Sequence, residues 1–539
     1  MPEKSTLASH IHLKIDGQYV SEELMNALLE VTVESSLHMA DAATLALHDP
    51  KLRWIDDALV APGKTFEILT KPTSQQDDFL SVFEGEFVEL EPQFEHGTHR
   101  LLIRAFDRLH RLARGRFVRS FQNVTDSDVA QKIAQEVGLQ PDVEHTKQVH
   151  AYLFQNNQTN LEFLQERAAT FGYVLYVEGK KLVFKPPARS GETVTLRWAA
   201  GLSEFRPRLT TIAQFNSITS RGWDAQNKKE IVSQVHNGDG MRDIGQKKQG
   251  GELAKNAFHL EAADLVFRDP IHNQTAADNL AKAIANRHQE RFIEAEGSCE
   301  GNPKIVAGSS LKVEAVGDQF SGNYLVTAAT HHYSAHGYTT DFGISGQTPQ
   351  TLLRLLRNGH DSHSGPGLVV GIVTDNQDPQ GWGRVKVKYP WLSSDHASDW
   401  VRVVVIGGGD QRGIEFLPEV NDEVLVGFEM GDMRYPYIIG GLWNGKEPPP
   451  KKNNEVTSGG RVTRRIIRSR TGHTVILDDS DGQSGITVED KNGNKIHLDS
   501  AANKLEIEAK GDISIKAGGQ MEINAGGQIE IKGSMIHLN

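Results

Sequence analysis

Residues 503–539 read NKLEIEAKGDISIKAGGQMEINAGGQIEIKGSMIHLN. Apolar pairs at a spacing of two stand at Leu505/Ile507, Ile513/Ile515, Met521/Ile523, Ile529/Ile531 and Ile536/Leu538. The first four recur every eight residues, and the fifth arrives one residue early. Gly518-Gly519 and Gly526-Gly527 fall between pairs, where only glycine turns the backbone sharply without steric cost. Each unit is therefore a short strand with two inward apolar residues, followed by a corner. One chain closing these units into a three-sided coil would complete fewer than two turns, and stacked repeats need about three before they bury a continuous core. Three chains, each supplying one face, solve the burial problem and remove most open sheet edges. At ~4.7 Å per stacked strand, the clearest part predicts a thin prism ~25 Å tall.

Upstream, residues 468–500 (RSRTGHTVILDDSDGQSGITVEDKNGNKIHLDS) alternate apolar and polar positions. Strands are expected at Thr474–Leu477, Gly485–Val488 and Lys495–Leu498, joined at Asp481-Gly482 and Asn492-Gly493, both strong hairpin dipeptides. Asp478, Asp479 and Asp481 invite a calcium reading, but the alternating acids and the glycine at the sixth position of such a loop are missing. Turn chemistry accounts for them better. Just before lie Arg461, Arg464, Arg465, Arg468 and Arg470, whose expected role is to neutralise those aspartates on a neighbouring chain.

Residues 367–443 carry β-branched runs at 369–374, 384–389, 400–406, 423–428 and 437–439, punctuated by Gly, Asp, Asn and Pro. Five short strands in so few residues fit a small closed barrel of the OB type. Such barrels often bind single-stranded nucleic acid through aromatics interleaved with basic residues. Trp382, Trp391 and Trp400 beside Arg384, Lys386 and Lys388 fit that pattern, whereas Glu415, Glu419, Asp422, Glu423 and Glu429 interrupt any basic groove.

The string G-x-V-x-D-x-x-D-P-x-x-x-G-R-V-K-V-x-x-P-W, from Gly371 to Trp391, resembles the OB module of VgrG proteins and phage baseplate spikes. FLPEVNDEVLVGFEMGD (416–432) and IIGGLWNG (438–445) resemble that module's later strands. In that family the OB domain joins a phage-hub-like base to a trimeric β-helix needle, and the order here is the same.

Toward the N-terminus, strands are expected at Ile11–Val20, Leu29–Val33, Phe79–Leu90 and Arg100–Phe106. LHRLARGRFVR (109–119) carries no acid and reads as a solvated crossover rather than a basic patch. Thr125 or Asp126 caps a helix stopped at Gly138, Thr159 caps a second ending at Gly172, and Thr275 starts a third running to about Phe292. Glu162 and Glu166, four apart on one helix, read as a solvated face rather than an acid/base pair. Residues 159–184 (TNLEFLQERAATFGYVLYVEGKKLVF) resemble the phage late-control, or tail hub, family, and residues 301–342 resemble its second hub barrel. His331 and His332 are adjacent on a strand there and point to opposite sides, which argues against joint chelation of one metal. In the family, two such barrels in each of three chains form a quasi-sixfold ring matched to an inner tube.

The expected fold is thus mainly β with α+β insertions: tandem hub-like β-barrels, an OB-fold barrel and a C-terminal triple-stranded β-helix. The expected boundaries are a hub-like barrel at 1–110, an α/β insertion at 111–190, a second barrel region with a helix at 191–357 and a linker at 358–366. An OB domain follows at 367–447, then a neck at 448–470 and the needle at 471–539.

The chain of 539 residues has a net charge of −12 and a pI of about 6.0, which disfavours binding nucleic acid through the whole protein. Glycine, at 51 residues, fits turn-rich β architecture. A single cysteine, Cys299, permits no intrachain disulfide and no cysteine-rich zinc site, and reads as a packing residue. MPEKSTLASH lacks an apolar signal core, so synthesis in the cytoplasm is expected, with the assembled particle acting outside the cell.

No catalytic, cofactor or metal motif stands in a supporting context, and the resemblance implies mechanical work: a structural spike, not an enzyme. It implies as partners the other two copies of a homotrimer, the inner tube protein, baseplate proteins, a PAAR-like tip protein and effector cargo, with no nucleic acid and no stable membrane insertion. The ten apolar residues from Leu505 to Leu538 would form the trimer core. Met535, Ile536, His537, Leu538 and Asn539 would form the platform for the tip protein. His537 repeated about a threefold axis is a candidate metal ligand, although metal-bearing relatives carry two histidines per chain. The alternatives are a phage tail hub that cleaves glycans and an OB-fold binder of single strands.

Overall fold

The computed structural model describes residues 11–537 apart from 38, 72–77, 96–97, 188–189, 213, 237, 239–242, 267–269, 346–366 and 391–396. The expected linker at 358–366, Trp391, Leu538 and Asn539 lie outside the described residues. The chain divides into two compact units, Met1–Gly441 and Leu442–Asn539.

The first unit is organised by a sheet of fifteen strands. Strand Ile11–Ile15 (IHLKI) sets the rule: Ile11, Leu13 and Ile15 are buried, and the polar residues between them are not. From one edge the sheet runs Asp243–Ile244, Gly322–Leu325, Ser309–Glu314, Ser190–Trp198, Gly201–Leu209, Ile293–Glu300, Gly337–Ile344 and Ala328–Ser334. It continues through Leu28–Ser36, Ala42–His48, Thr98–Phe106, Leu80–Glu95, Thr65–Thr70, Ile11–Ile15 and Gln18–Tyr19. The two halves join where Ala328–Ser334 runs antiparallel to Leu28–Ser36, with His331 opposite Val33. Each half keeps its own core, one around Phe66, Phe87 and Ile103, the other around Phe292, Leu311 and Tyr324. Tyr333 and Tyr338 of the second half pack into the first core, so the halves are one folded body.

Between the halves lies the α/β insertion. Helix Asp126–Glu136 starts at a Thr125/Asp128 capping box, and helix Asn160–Phe171 at a Thr159/Glu162 box, ending on Gly172 at φ 69°. Asp126 is fully buried between Arg167 and His150, whose Nε2 lies 2.7 Å from Asp126 Oδ2. Burial would raise the Asp126 carboxyl, but the two basic neighbours outweigh it and hold it down to about 2.

Residues 109–119 are not the solvated crossover expected of them. Arg108–Ala113 is a 3₁₀ helix with Leu109 and Leu112 fully buried. The acids that this run lacks arrive from elsewhere: Arg108 pairs with Glu84 at 2.8 Å, Arg116 with Glu162 at 3.1 Å and Arg119 with Glu136 at 2.8 Å.

A third helix, Gln274–Glu290, lays Ala277 and Ala281 against a three-stranded sheet of Lys229–Val235, Ser217–Asp224 and Ala263–Val266. The helix Gly250–Phe258 was hidden in the sequence by its two leading glycines and by Gln249, which makes no side-chain cap. Gly251 is required by crowding, since a Cβ there would lie 2.3 Å from the Phe215 carbonyl oxygen, whereas one on Gly250 would press only on the Gln214 side chain.

The OB region is a five-stranded sheet ordered Lys386–Lys388, Val369–Asp375, Glu423–Phe428, Pro436–Gly441 and Arg402–Val403. Paired hydrogen bonds between Val385 and Val401, at 3.0 and 2.7 Å, link its two outer strands and close the barrel around Val373, Val387, Val424 and Val426.

The second unit opens with a one-turn helix, Asn453–Val456, and a hairpin, Thr457–Ser458 against Arg461–Val462. A five-stranded antiparallel meander follows, Arg464–Arg468, Thr474–Asp478, Gly485–Glu489, Lys495–Asp499 and Lys504–Glu508, each strand paired with the next. Gly482 and Gly493 turn it at φ 72° and 87°. Strand Arg464–Arg468, counted above with the neck, is the meander's first strand. Among the described residues, no strand follows Glu508.

Candidate self-association surface

The candidate site is a surface of the second unit. From Leu442 to His537 no described side chain is buried, and the only buried residue is Gly485. A unit of this size that holds itself together would normally enclose an apolar core.

The octad residues stand open. Ile513, Ile515, Met521, Ile523, Ile529, Ile531, Met535 and Ile536 are between 48% and 73% exposed, with no strand pairing in the protomer. Leu505 and Ile507 are 62% and 61% exposed, although they lie on the meander's last strand. His537 is exposed. Rows of exposed large apolar side chains at fixed spacing mark an interaction surface rather than scattered surface residues.

The sequence reading missed that the meander carries the same surface. Its register aligns two columns on one face: Ile467, Val475, Val488, Ile496 and Ile507, and beside them Arg465, Leu477, Ile486, Leu498 and Leu505. The opposite face is mainly polar, with Thr487 Oγ1 2.9 Å from His497 Nδ1. The alternation was legible in the sequence, but the alignment of columns needs the register.

The arginines are also placed differently from the expectation. Arg464 Nε donates to Asp478 Oδ2 at 2.7 Å and Arg465 Nη1 to Asp479 Oδ2 at 2.6 Å, within one chain. The antiparallel register sets Arg464 opposite Asp478, so no neighbouring chain is needed. These pairs also occupy two of the three aspartates considered for calcium.

The other singled-out residues have structural roles. His331 is fully buried, its Nδ1 2.9 Å from Tyr338 Oη and 3.2 Å from Thr340 Oγ1, and burial lowers its pKa to about 3. His332 is exposed, on the opposite side of the strand. Cys299 is buried, and burial pushes its thiol up to about 12. Glu162 serves the helix cap and pairs with Arg116. In the barrel, Arg384 lies 4.7 Å over the Trp382 ring while bonding Asp378, and Lys386 lies 4.9 Å over Trp400. The aromatic and basic residues thus engage one another, which disfavours a nucleic-acid groove. Asp378 explains the D-P-x-x-x-G-R string: its carboxylate accepts from the Gln380 and Trp382 amides and from Arg384 Nη2 at 2.7 Å.

With this geometry in place, similarity to known proteins becomes decisive. A family model described as the Alg8 N-terminal domain matches residues 5–335, more than half of the chain. A second, described as the type VI secretion system/phage-baseplate injector OB domain, matches residues 369–443. The chain belongs to the Alg8 N-terminal domain family and is similar to VgrG spike proteins. The VgrG5 spike protein of Pseudomonas aeruginosa is 22% identical over 68% of this chain and 44% of its own length. The VgrG3 spike protein of Vibrio cholerae is 22% identical over 73% of this chain and 39% of its own. The chain therefore spans less than half the length of these relatives. Among solved structures, a chain of the half-lidded Francisella PdpA-VgrG complex matches with a TM-score of 0.54 at 9% identity, covering 93% of this chain and 88% of that one. The fold of that chain thus extends over nearly the whole of this one. No helix among the described residues is long and apolar enough to cross a membrane.

Proposed function

We propose that this chain is the structural spike of a contractile injection apparatus, assembled as a homotrimer and working mechanically rather than as an enzyme. The observation that carries the reading is the second unit's open apolar stripe: apolar pairs at eight-residue spacing, exposed and, in the described residues after Glu508, outside any strand of the protomer. An identical chain supplies the matching repeat, and three chains close a prism. Strand pairing between chains then gives stiffness without chemistry.

Under this reading the base meets the inner tube and baseplate proteins, and the tip segment 535–539 receives a PAAR-like tip protein or cargo. The chain is made in the cytoplasm and acts outside the cell as part of the particle. The boundaries given above remain the proposed division of labour, with the needle's first strand moved back to Arg464.

Absolute mass in solution tests this. The full chain should run near three times 59.5 kDa, and truncation after Gly459 should weaken or abolish that association. A full-length chain that stays monomeric and folded would overturn the reading.

A further inference from the structure

His272 is a titratable group at the place where the OB barrel meets the rest of the first unit. It comes from the segment leading into helix Gln274–Glu290 and directly precedes the N-cap, Asn273, whose side chain accepts from the Ala276 amide at 2.8 Å. Its ring lies against Tyr435 of the barrel, the centroids 4.1 Å apart and the planes tilted by 33°. The Nε2 end of the ring is buried 3.5 Å from Glu429 Oε2 and makes no hydrogen bond among the described residues.

What surrounds the ring favours its neutral form. Glu429, the nearest carboxylate, already accepts from Tyr437 Oη at 2.7 Å, and Asp432 accepts from Arg434 Nε at 3.0 Å. Two guanidinium groups of the barrel stand nearby, Arg434 5.6 Å over the Tyr435 ring and Arg402 5.7 Å over the Tyr437 ring. On its own element His272 stands at the positive end of a seventeen-residue helix, where an added cation is unfavourable. Burial is the largest effect; with Arg434 and Arg402 it outweighs the pull of Glu429 and Asp432, so the His272 pKa is lowered.

We propose that this contact is an acid-sensitive joint: a neutral His272 seats the OB barrel on the remainder of the first unit, and a protonated His272 unseats it. The sense follows from linkage. An unseated ring takes up its proton at the ordinary histidine value of about 6.5, a seated ring only at lower pH, so protons drive the joint open. Seating is at full strength above pH ~6.5 and weakens as pH falls below it. The contact lies within one protomer and does not depend on how many copies assemble.

Hydrogen exchange of the full chain at pH 7.5 and pH 5.5, corrected for the intrinsic dependence of exchange on pH, tests the joint. In the unsubstituted chain, segments 270–276 and 428–438 should exchange several-fold faster at pH 5.5, while helix Asp126–Glu136 keeps its protection. His272→Phe keeps a ring against Tyr435 that cannot ionise, and should hold both segments protected at either pH. His272→Gln, also neutral, carries the same comparison if phenylalanine disturbs the packing: its exchange should not change with pH. His272→Arg, charged throughout, should exchange fast already at pH 7.5. Equal protection at both pH values in the unsubstituted chain, or a loss on acidification that survives in both neutral variants, would overturn the proposal.

Discussion

Arg464 and Asp478 face one another across the first two strands of the meander, with Nε 2.7 Å from Oδ2. The pair is partly shielded, with the side chains 31% and 17% exposed, so it stands above an ordinary surface ion pair. Burial would raise the Asp478 carboxyl, but Ser480 and Arg464 outweigh it and lower its pKa. A lowered carboxylate contributes stability above its unfolded pKa and loses it as pH falls through the folded value.

Arg464→Ala should accordingly cost about 1 kcal/mol at neutral pH and less in acid, once pH falls below the ordinary aspartate range and wild type loses the same interaction. Denaturant titration at pH 7 and at pH 3, followed by far-UV circular dichroism, checks this. An equal loss at both pH values would mean that the guanidinium acts only through packing.

Asp378 gives a sharper case in the barrel. Its side chain is 3% exposed, and Arg384 is the principal cause of its lowered pKa. Asp378→Ala strands a guanidinium that is 14% exposed and removes the acceptor for two turn amides; a cost of about 3 kcal/mol is expected. Asp378→Asn keeps one acceptor and should cost less. Thermal melts of the two variants, with Arg384→Ala as the other corner of a double-mutant cycle, would show whether the coupling resides in this pair.

How much of this was open to the sequence depends on how local its cause is. The Thr125 and Thr159 caps, the glycine stop at Gly172 and the octad interval depend on neighbours in the chain, and all were legible. The Asp378 string was recognisable as a pattern, but its reason, a carboxylate tying a turn to Arg384, appears only once Trp382 and Gln380 are placed around it. Arg108, Arg116 and Arg119 looked unpaired because their partners, Glu84, Glu162 and Glu136, come from other elements. The meander's apolar face was missed for the same reason. Ile486 and Leu498 are twelve residues apart and become neighbours only through the hairpin register.

The Asp41 and Asp107 carboxyls are like charges buried beside one another, and they yield the last prediction. The Asp41 amide donates to Asp107 Oδ2 at 3.1 Å, while Asp41 Oδ1 accepts from the Ser36 amide at 2.9 Å and Asp107 Oδ1 from the Leu109 amide at 2.8 Å. Burial pushes Asp107 up to about 7; burial and the Asp107 charge push Asp41 well above the usual carboxylate range. A raised carboxyl works in the opposite sense to Asp478: the folded state holds a proton that the unfolded chain has released. Its stabilising effect is complete below pH ~4 and is lost as pH climbs through about 7. Asp41→Asn removes one of the two charges and offers an amide donor toward Asp107. The variant should therefore match wild type near pH 4 and melt higher at pH 8, the gap opening mainly between pH 5 and 7. Melting curves at half-unit pH steps would trace it. A gap that is flat with pH would mean that the two carboxyls titrate independently of folding.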